Sequence, residues 1–179
     1  MPTWIALLRA INVGGRNMVS MPQLRKALEA DGFADVRTYV QSGNIVVRSS
    51  RRSASAVGRQ IGGLIESDFG LTVPVVVRTP DQLAGVIDAN PFPDAAVDRP
   101  KLLHVTFLDA DPDAAGVDAV QSDELTRDVC RVVGRHLYVD YVDGVHGSKL
   151  TLTYFSRRLG VDGTARNWRT VLALAELSR

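Results

Sequence analysis

The chain of 179 residues has a single cysteine, only three lysines, 6% aromatic residues and a formal net charge of +1. Each scarcity closes a route to function. Cys130 alone forms neither an internal disulfide nor a multi-cysteine zinc site, and inside the apolar run 129–133 it reads as a buried, inert thiol. With 21 basic residues against 20 acidic ones there is no overall field to gather a polyanion, so nucleic-acid binding would have to rest on a local patch. No apolar run reaches the length of a membrane span, and no basic segment precedes the first strand as in a signal peptide, so a cytoplasmic protein is expected. His104, His136 and His146 are scattered, and no arrangement marks a Ser/His/Asp triad. Asp109, Asp111 and Asp113 lack the glycine and distal glutamate of a calcium loop, and helix capping accounts for them. Neither a metal nor a cofactor is expected.

What is present is an ordinary globular composition, 45% hydrophobic and 23% charged, enough for one good core or two small ones. The pattern predicts a strand over 3–9, then a helix opening at Ser20 with proline in its first turn and burying Leu24, Ala27 and Leu28 up to Gly32. A strand at 35–40, a turn at 41–44 and a return at 45–47 follow. Val57, Ile61, Leu64, Ile65 and Phe69 then mark one face of a second helix, and 73–78 a fourth strand. This β-α-β-β-α-β order is the split β-α-β, or ferredoxin-like, unit.

Thr79-Pro80-Asp81-Gln82 starts a further helix carrying Leu83, Val86 and Ile87, which ends before a proline- and aspartate-rich linker at 91–99. Beyond it the spacing predicts strands at 101–108, 127–133 and 136–142, the last two turning at Gly134, and helices at 112–121, 148–159 and 164–177. The expected fold is therefore α+β: two ferredoxin-like halves, 1–90 and 100–179, packed as one unit. No repeat is visible residue by residue.

A right-handed crossover makes the first and second strands parallel, so their C-terminal ends share one sheet edge. That edge gathers two polar glycine segments. Arg9, Asn12, Gly14, Gly15, Arg16 and Asn17 follow the first strand, and Gln41, Ser42, Gly43 and Asn44 follow the second. Two arginines, loop amides and a nearby helix N-terminus favour an anion. Neither a Walker ending nor dinucleotide-fingerprint spacing is present. The structural alternative is that the asparagines bond their own backbone and the glycines only supply positive φ. Toward the C-terminus, Ser148 and Lys149 open one predicted helix, and Arg166 and Asn167 lie in the first turn of the next. There Ser148 reads equally as a helix cap and Arg166 as half of an ion pair.

Four motifs, Arg9-Ala10-Ile11-Asn12-Val13-Gly14-Gly15, Val40-Gln41-Ser42-Gly43-Asn44, Ser148-Lys149-Leu150-Thr151 and Thr164-Ala165-Arg166-Asn167-Trp168, occur in this order. Together they resemble the bacterial family of unknown function 1697, from end to end. The family pattern often has glycine where Ala10 stands, a basic residue at Gly147, asparagine at Leu152 and threonine or serine at Ala165. The resemblance implies no reaction.

Three functions compete on the residues. The first is binding, or turnover, of a small anionic or phosphorylated, nucleotide-like compound at the Arg9–Asn17 loop and the 41–44 turn, with Lys149 and Arg166 as further cations. No general base stands out, which favours binding. The second is a nucleic-acid module on the sheet, disfavoured because the third strand carries no aromatic residue. The third is a protein-interaction or structural role in which the polar loops pair internally and take no ligand.

Overall fold

The first helix starts where its capping residues place it. In the computed structural model, which describes residues 1–124 and 126–179, the Ser20 hydroxyl accepts a hydrogen bond from the Gln23 amide. Pro22 occupies the first turn of α1 (Met21–Ala30). Ser53 does the same for α2 (Ala54–Phe69), accepting from the Ala56 amide at 3.2 Å. The apolar stripes of the two helices, Met21, Leu24 and Leu28 on α1 and Val57, Ile61 and Ile65 on α2, are all buried. Each fully buried side chain of this kind contributes about 1.5–3 kcal/mol.

They cover one face of a four-stranded sheet formed by β1 (Thr3–Leu8), β2 (Ala34–Tyr39), β3 (Asn44–Arg48) and β4 (Val75–Arg78), in the order β2-β3-β1-β4. Strand alternation sends Trp4, Ala6, Leu8, Ile45, Val47 and Val77 into the helix-side core. Ile5, Leu7, Val46 and Val76 lie on the other face and are no more than 6% exposed. β1 and β2 both pair antiparallel with β3, so they run in the same direction and end at one edge, as the crossover rule predicts.

The chain divides into two compact units, Met1–Ala84 with Ala173–Arg179, and Gly85–Leu172. Helix α3 (Pro80–Asp88) starts in a reciprocal capping box: the Thr79 amide donates to Gln82 Oε1 at 2.9 Å and the Gln82 amide to Thr79 Oγ1 at 3.2 Å. The second unit continues through α4 (Pro93–Asp98), β5 (Leu103–Leu108), α5 (Ala114–Ser122), β6 (Val129–Val133), β7 (His136–Asp140), α6 (Leu152–Leu159), β8 (Gly163–Asn167) and the start of α7 (Trp168–Leu177), whose residues from Ala173 on belong to the first unit. Its sheet has the order β6-β7-β5-β8, the same topology as the first. Cys130 is buried there; its thiol donates to the Val120 carbonyl and burial pushes its pKa up to about 11, which keeps it an inert thiol.

Three local expectations are corrected. The 91–99 stretch is not a plain linker: it holds α4, started by Pro93. Arg99 just beyond it donates to both carboxylate oxygens of Asp140, at 2.9 and 2.5 Å. Helix α6 starts at Leu152 rather than Ser148, capped by the Thr151 hydroxyl. The expected helix at 164–177 is a strand followed by a helix, because 163–167 pairs with the open side of β5 and completes the sheet. That fourth strand also makes a repeat visible. Leu8 faces Val75 and Ile5 faces Arg78 in the first unit, and Leu108 faces Gly163 and Val105 faces Arg166 in the second. Each unit thus carries at or next to the end of its fourth strand a buried arginine whose guanidinium donates to the preceding carbonyl, that of Val77 or Ala165.

Candidate functional site

The segment after β1 folds into a small hairpin of its own. Val13 and Arg16 bridge across Gly14 and Gly15, the Arg16 amide donating to the Val13 carbonyl at 3.0 Å. Both glycines have positive φ, +57° and +74°, the type I′ pattern that side-chain-bearing residues avoid. Nothing lies within 4 Å of where their Cβ atoms would be, so it is conformation and not packing that asks for glycine here.

The asparagines serve the backbone. Asn12 Nδ2 donates to the carbonyls of Val19 at 2.9 Å and Gln41 at 2.7 Å, and its Oδ1 accepts from the Val19 amide at 2.8 Å. One side chain thereby closes its own loop and ties it to the turn after β2. Asn17 Nδ2 donates to the Ala10 carbonyl at 3.0 Å. Asn44 is fully buried, and its amide donates to the Tyr39 carbonyl at 3.0 Å and to Ser42 Oγ at 2.9 Å. The turn is also bonded to the end of β1: the Leu8 amide donates to the Gly43 carbonyl at 2.8 Å. The Arg9 amide donates to the Pro74 carbonyl at 3.0 Å, which brings the start of β4 to the same edge.

What remains outward is cationic and amide-rich. Arg16 is exposed, and its guanidinium has no hydrogen bond or ion pair among the described residues. The same holds for the amides of Gly14 and Gly15 and for the Gln41 side chain. Around them stand three apolar side chains absent from the sequence-based site, Val13, Met18 and Val40, at 63%, 65% and 53% exposure. Apolar residues inside a polar loop were the available signal for them.

The edge is also a place of backbone strain. Ala10, Asn12, Asn17 and Val40 all have φ near +50°. Asparagine tolerates this region, alanine less so, and a β-branched residue least. Ala10 holds a φ of +54°, a conformation that glycine would adopt without strain. Val40→Gly is expected to stabilise the chain by about 1 kcal/mol, relief of the left-handed strain outweighing the added freedom of the unfolded chain. A urea titration checks it; unchanged or reduced stability would mean that Val40 packs more than its exposure shows.

The four C-terminal candidates lie in the second unit. Ser148 donates to Asp128 Oδ2 at 2.6 Å and accepts from the Leu150 amide, while Asp128 Oδ1 accepts from the Val142 amide. It therefore organises the loop before α6 and caps no helix. Lys149 is exposed and its ammonium has no partner among the described residues. Arg166 lies in β8, not in a first helical turn. Its guanidinium donates to Thr164 Oγ1 at 2.7 Å and to the Ala165 carbonyl at 2.8 Å, and burial pushes its pKa down to about 10. Asn167 caps α7, its Oδ1 accepting from the Thr170 amide at 3.0 Å.

The second unit's counterpart of the glycine loop is acidic and occupied: Asp113 caps α5 and Asp111 takes both forks of Arg135 at 2.7 and 2.8 Å. Among the described residues no cluster of metal-ligating side chains occurs and no helix is long and apolar enough to cross a membrane. Among the described residues, the first of the two like-folded halves presents a basic loop with open donors at this position, and the second an acidic one.

The comparisons with known proteins agree with this architecture. A solved structure of a conserved bacterial protein from Streptococcus pneumoniae superimposes with a TM-score of 0.75 at 22% identity, over 99% of this chain and 98% of that one. At that identity the likeness establishes the fold. Among curated proteins no sequence matches. The model of a family described as protein of unknown function, DUF1697, matches residues 1–138, a span that holds both glycine segments and runs into β7. The chain belongs to the DUF1697 family.

Proposed function

We propose that this is a cytoplasmic protein whose first unit binds a small anionic or phosphorylated, nucleotide-like ligand on the Arg9–Asn17 loop and the adjoining 41–44 turn. One observation carries this reading. Asn12 ties the two segments together and Asn17 braces its own loop, while Arg16 and the Gly14 and Gly15 amides are left without partners among the described residues. A scaffold fixed this firmly keeps its free donors in place before a ligand arrives, which lowers the ordering cost of binding. Val13, Met18 and Val40 offer apolar surface next to the cation, suited to a ligand with a ring beside its anionic group. Within 9–20, 40–44 and 70–74 the only ionisable side chains are Arg9 and Arg16. This edge has no side chain to take up a proton, so binding fits it better than acid–base catalysis.

The same three exposed apolar residues favour a second reading, docking of a protein partner at this edge. Nucleic-acid stacking on the sheet finds less support, since β3 carries Ile45, Val46 and Val47, all buried, where aromatic platforms would be needed.

Thermal unfolding with inorganic phosphate, sugar phosphates, nucleotides and short single-stranded RNA separates these readings. A ligand held at about a hundred times its Kd adds about 2.7 kcal/mol. The expected result is stabilisation of the wild type by a phosphorylated small molecule and loss of most of that gain in Arg16→Ala. Stabilisation by RNA alone, fading with salt, would move the assignment to nucleic acid. No response to any compound would leave partner docking ahead.

A further inference from the structure

A cleft of about 360 Å³ opens in the first unit at the opposite end of its sheet from the glycine loop, where Thr3 of β1 faces Arg48 of β3. Strand register explains its lining. Arg37 of β2 faces Val46 of β3, so both lie on the sheet face away from α1 and α2. Asp35 and Arg48 extend this wall, and Leu177 and Arg179 close the cleft from the end of α7.

The cations differ in what they hold. Arg48 bonds the Asp35 carboxylate at 3.0 Å and the Met1 carbonyl at 3.2 Å, and Arg179 bonds the Glu176 carboxylate at 3.0 Å. Arg37 makes a single hydrogen bond among the described residues, to the neutral Leu177 carbonyl at 3.0 Å. It has no carboxylate partner and keeps most of its forked donors for something else. A guanidinium in that state matches the paired oxygens of a phosphate or carboxylate. The cleft's volume lies at the small end of the range that holds organic ligands.

We infer that this cleft is a second ligand site, independent of the glycine loop, for a small molecule with a phosphate or carboxylate head on a compact apolar body. Arg37 receives the head through parallel N–H donors, and the Val46 and Leu177 side of the cleft takes the body. The fork of Arg37 is anchored at one nitrogen by the Leu177 carbonyl, which orients the rest of the guanidinium.

The test is an amide-resolved NMR titration with phenyl phosphate, benzoate and neutral benzyl alcohol. Wild type, Arg37→Gln, Arg37→Lys and Arg16→Ala are compared. One or both anions should saturate, with shifts centred on Arg37, Val46 and Leu177, and whichever binds more tightly identifies the head group. Binding should weaken at least about tenfold in Arg37→Gln and less in Arg37→Lys, which keeps the charge without the fork. The shifts at Arg37, Val46 and Leu177 should saturate at the same concentration in Arg16→Ala as in the wild type, whatever that variant loses at the glycine loop. Equal binding by benzyl alcohol, unchanged binding in Arg37→Gln, shifts confined to Gly14 and Gly15, or no saturation below about 10 mM would each overturn the inference.

Discussion

Gly43→Ala is expected to destabilise the first unit by about 3 kcal/mol or more, since a steric overlap and a backbone penalty coincide at one position. A Cβ there would lie 2.6 Å from Leu8 Cβ and 2.8 Å from Ile11 Cδ1, at a φ of +75°. Leu8 and Ile11 are both buried, so neither can swing aside into solvent. The Gly43 carbonyl also accepts from the Leu8 amide, and a shift that relieved the overlap would break the bond joining the turn to β1. Gly15→Ala is the matched control. Its φ of +74° gives the same conformational penalty with open space at the Cβ, and about 1 kcal/mol is expected. Denaturant unfolding of the two variants measures the steric part by difference. Equal losses would show that the turn does not pack on β1 as closely as described.

Asn12→Ala is expected to cost about 3 kcal/mol, since it removes three hydrogen bonds worth about 1 kcal/mol each and strands their partners. Val19 is 2% exposed, so its amide and carbonyl would lose Asn12 with little water to replace it. The Gln41 carbonyl loses its link to the loop as well. Asn12→Asp restores only the acceptor facing the Val19 amide and sets a carboxylate against two carbonyl oxygens, so it is no rescue. Hydrogen exchange supplies the local readout: the Val19 amide should lose protection in Asn12→Ala while amides in β5 keep theirs. Weakened ligand stabilisation in Asn12→Ala should accompany this, because the residue positions Arg16 without offering a donor of its own to a ligand. Retained protection at Val19 would mean the loop is held by something other than Asn12.

The sequence exposed much of this where the determinants are local. Ser20, Ser53 and the Thr79–Gln82 pair announce their helices through side chains that bond the amide three residues on. The meeting of the two glycine segments follows from crossover handedness alone. Other features depend on distant partners. Ser148 has the local look of a cap, yet Asp128, twenty residues upstream, takes its hydroxyl. The segment 163–167 is short, polar and led by glycine, and only the vacant side of β5 makes it a strand. Arg166 is expected in a first helical turn for the same reason, and it lies buried in that strand. The asparagines admit two readings from sequence, ligand donors beside the arginines or turn residues that bond their own backbone. Their side chains satisfy nearby carbonyls, as asparagine in turns commonly does. The donors left open at the candidate site are those of Arg16, the glycine amides and Gln41.

The measurement that bears most directly on the site is an amide-resolved NMR titration of the full chain with adenosine monophosphate, repeated on Arg16→Ala. The account predicts saturable shifts at Gly14, Gly15, Arg16 and Gln41 that disappear in the variant. Shifts that persist without Arg16, or that leave the Gly14 and Gly15 amides unmoved at saturation, would contradict it.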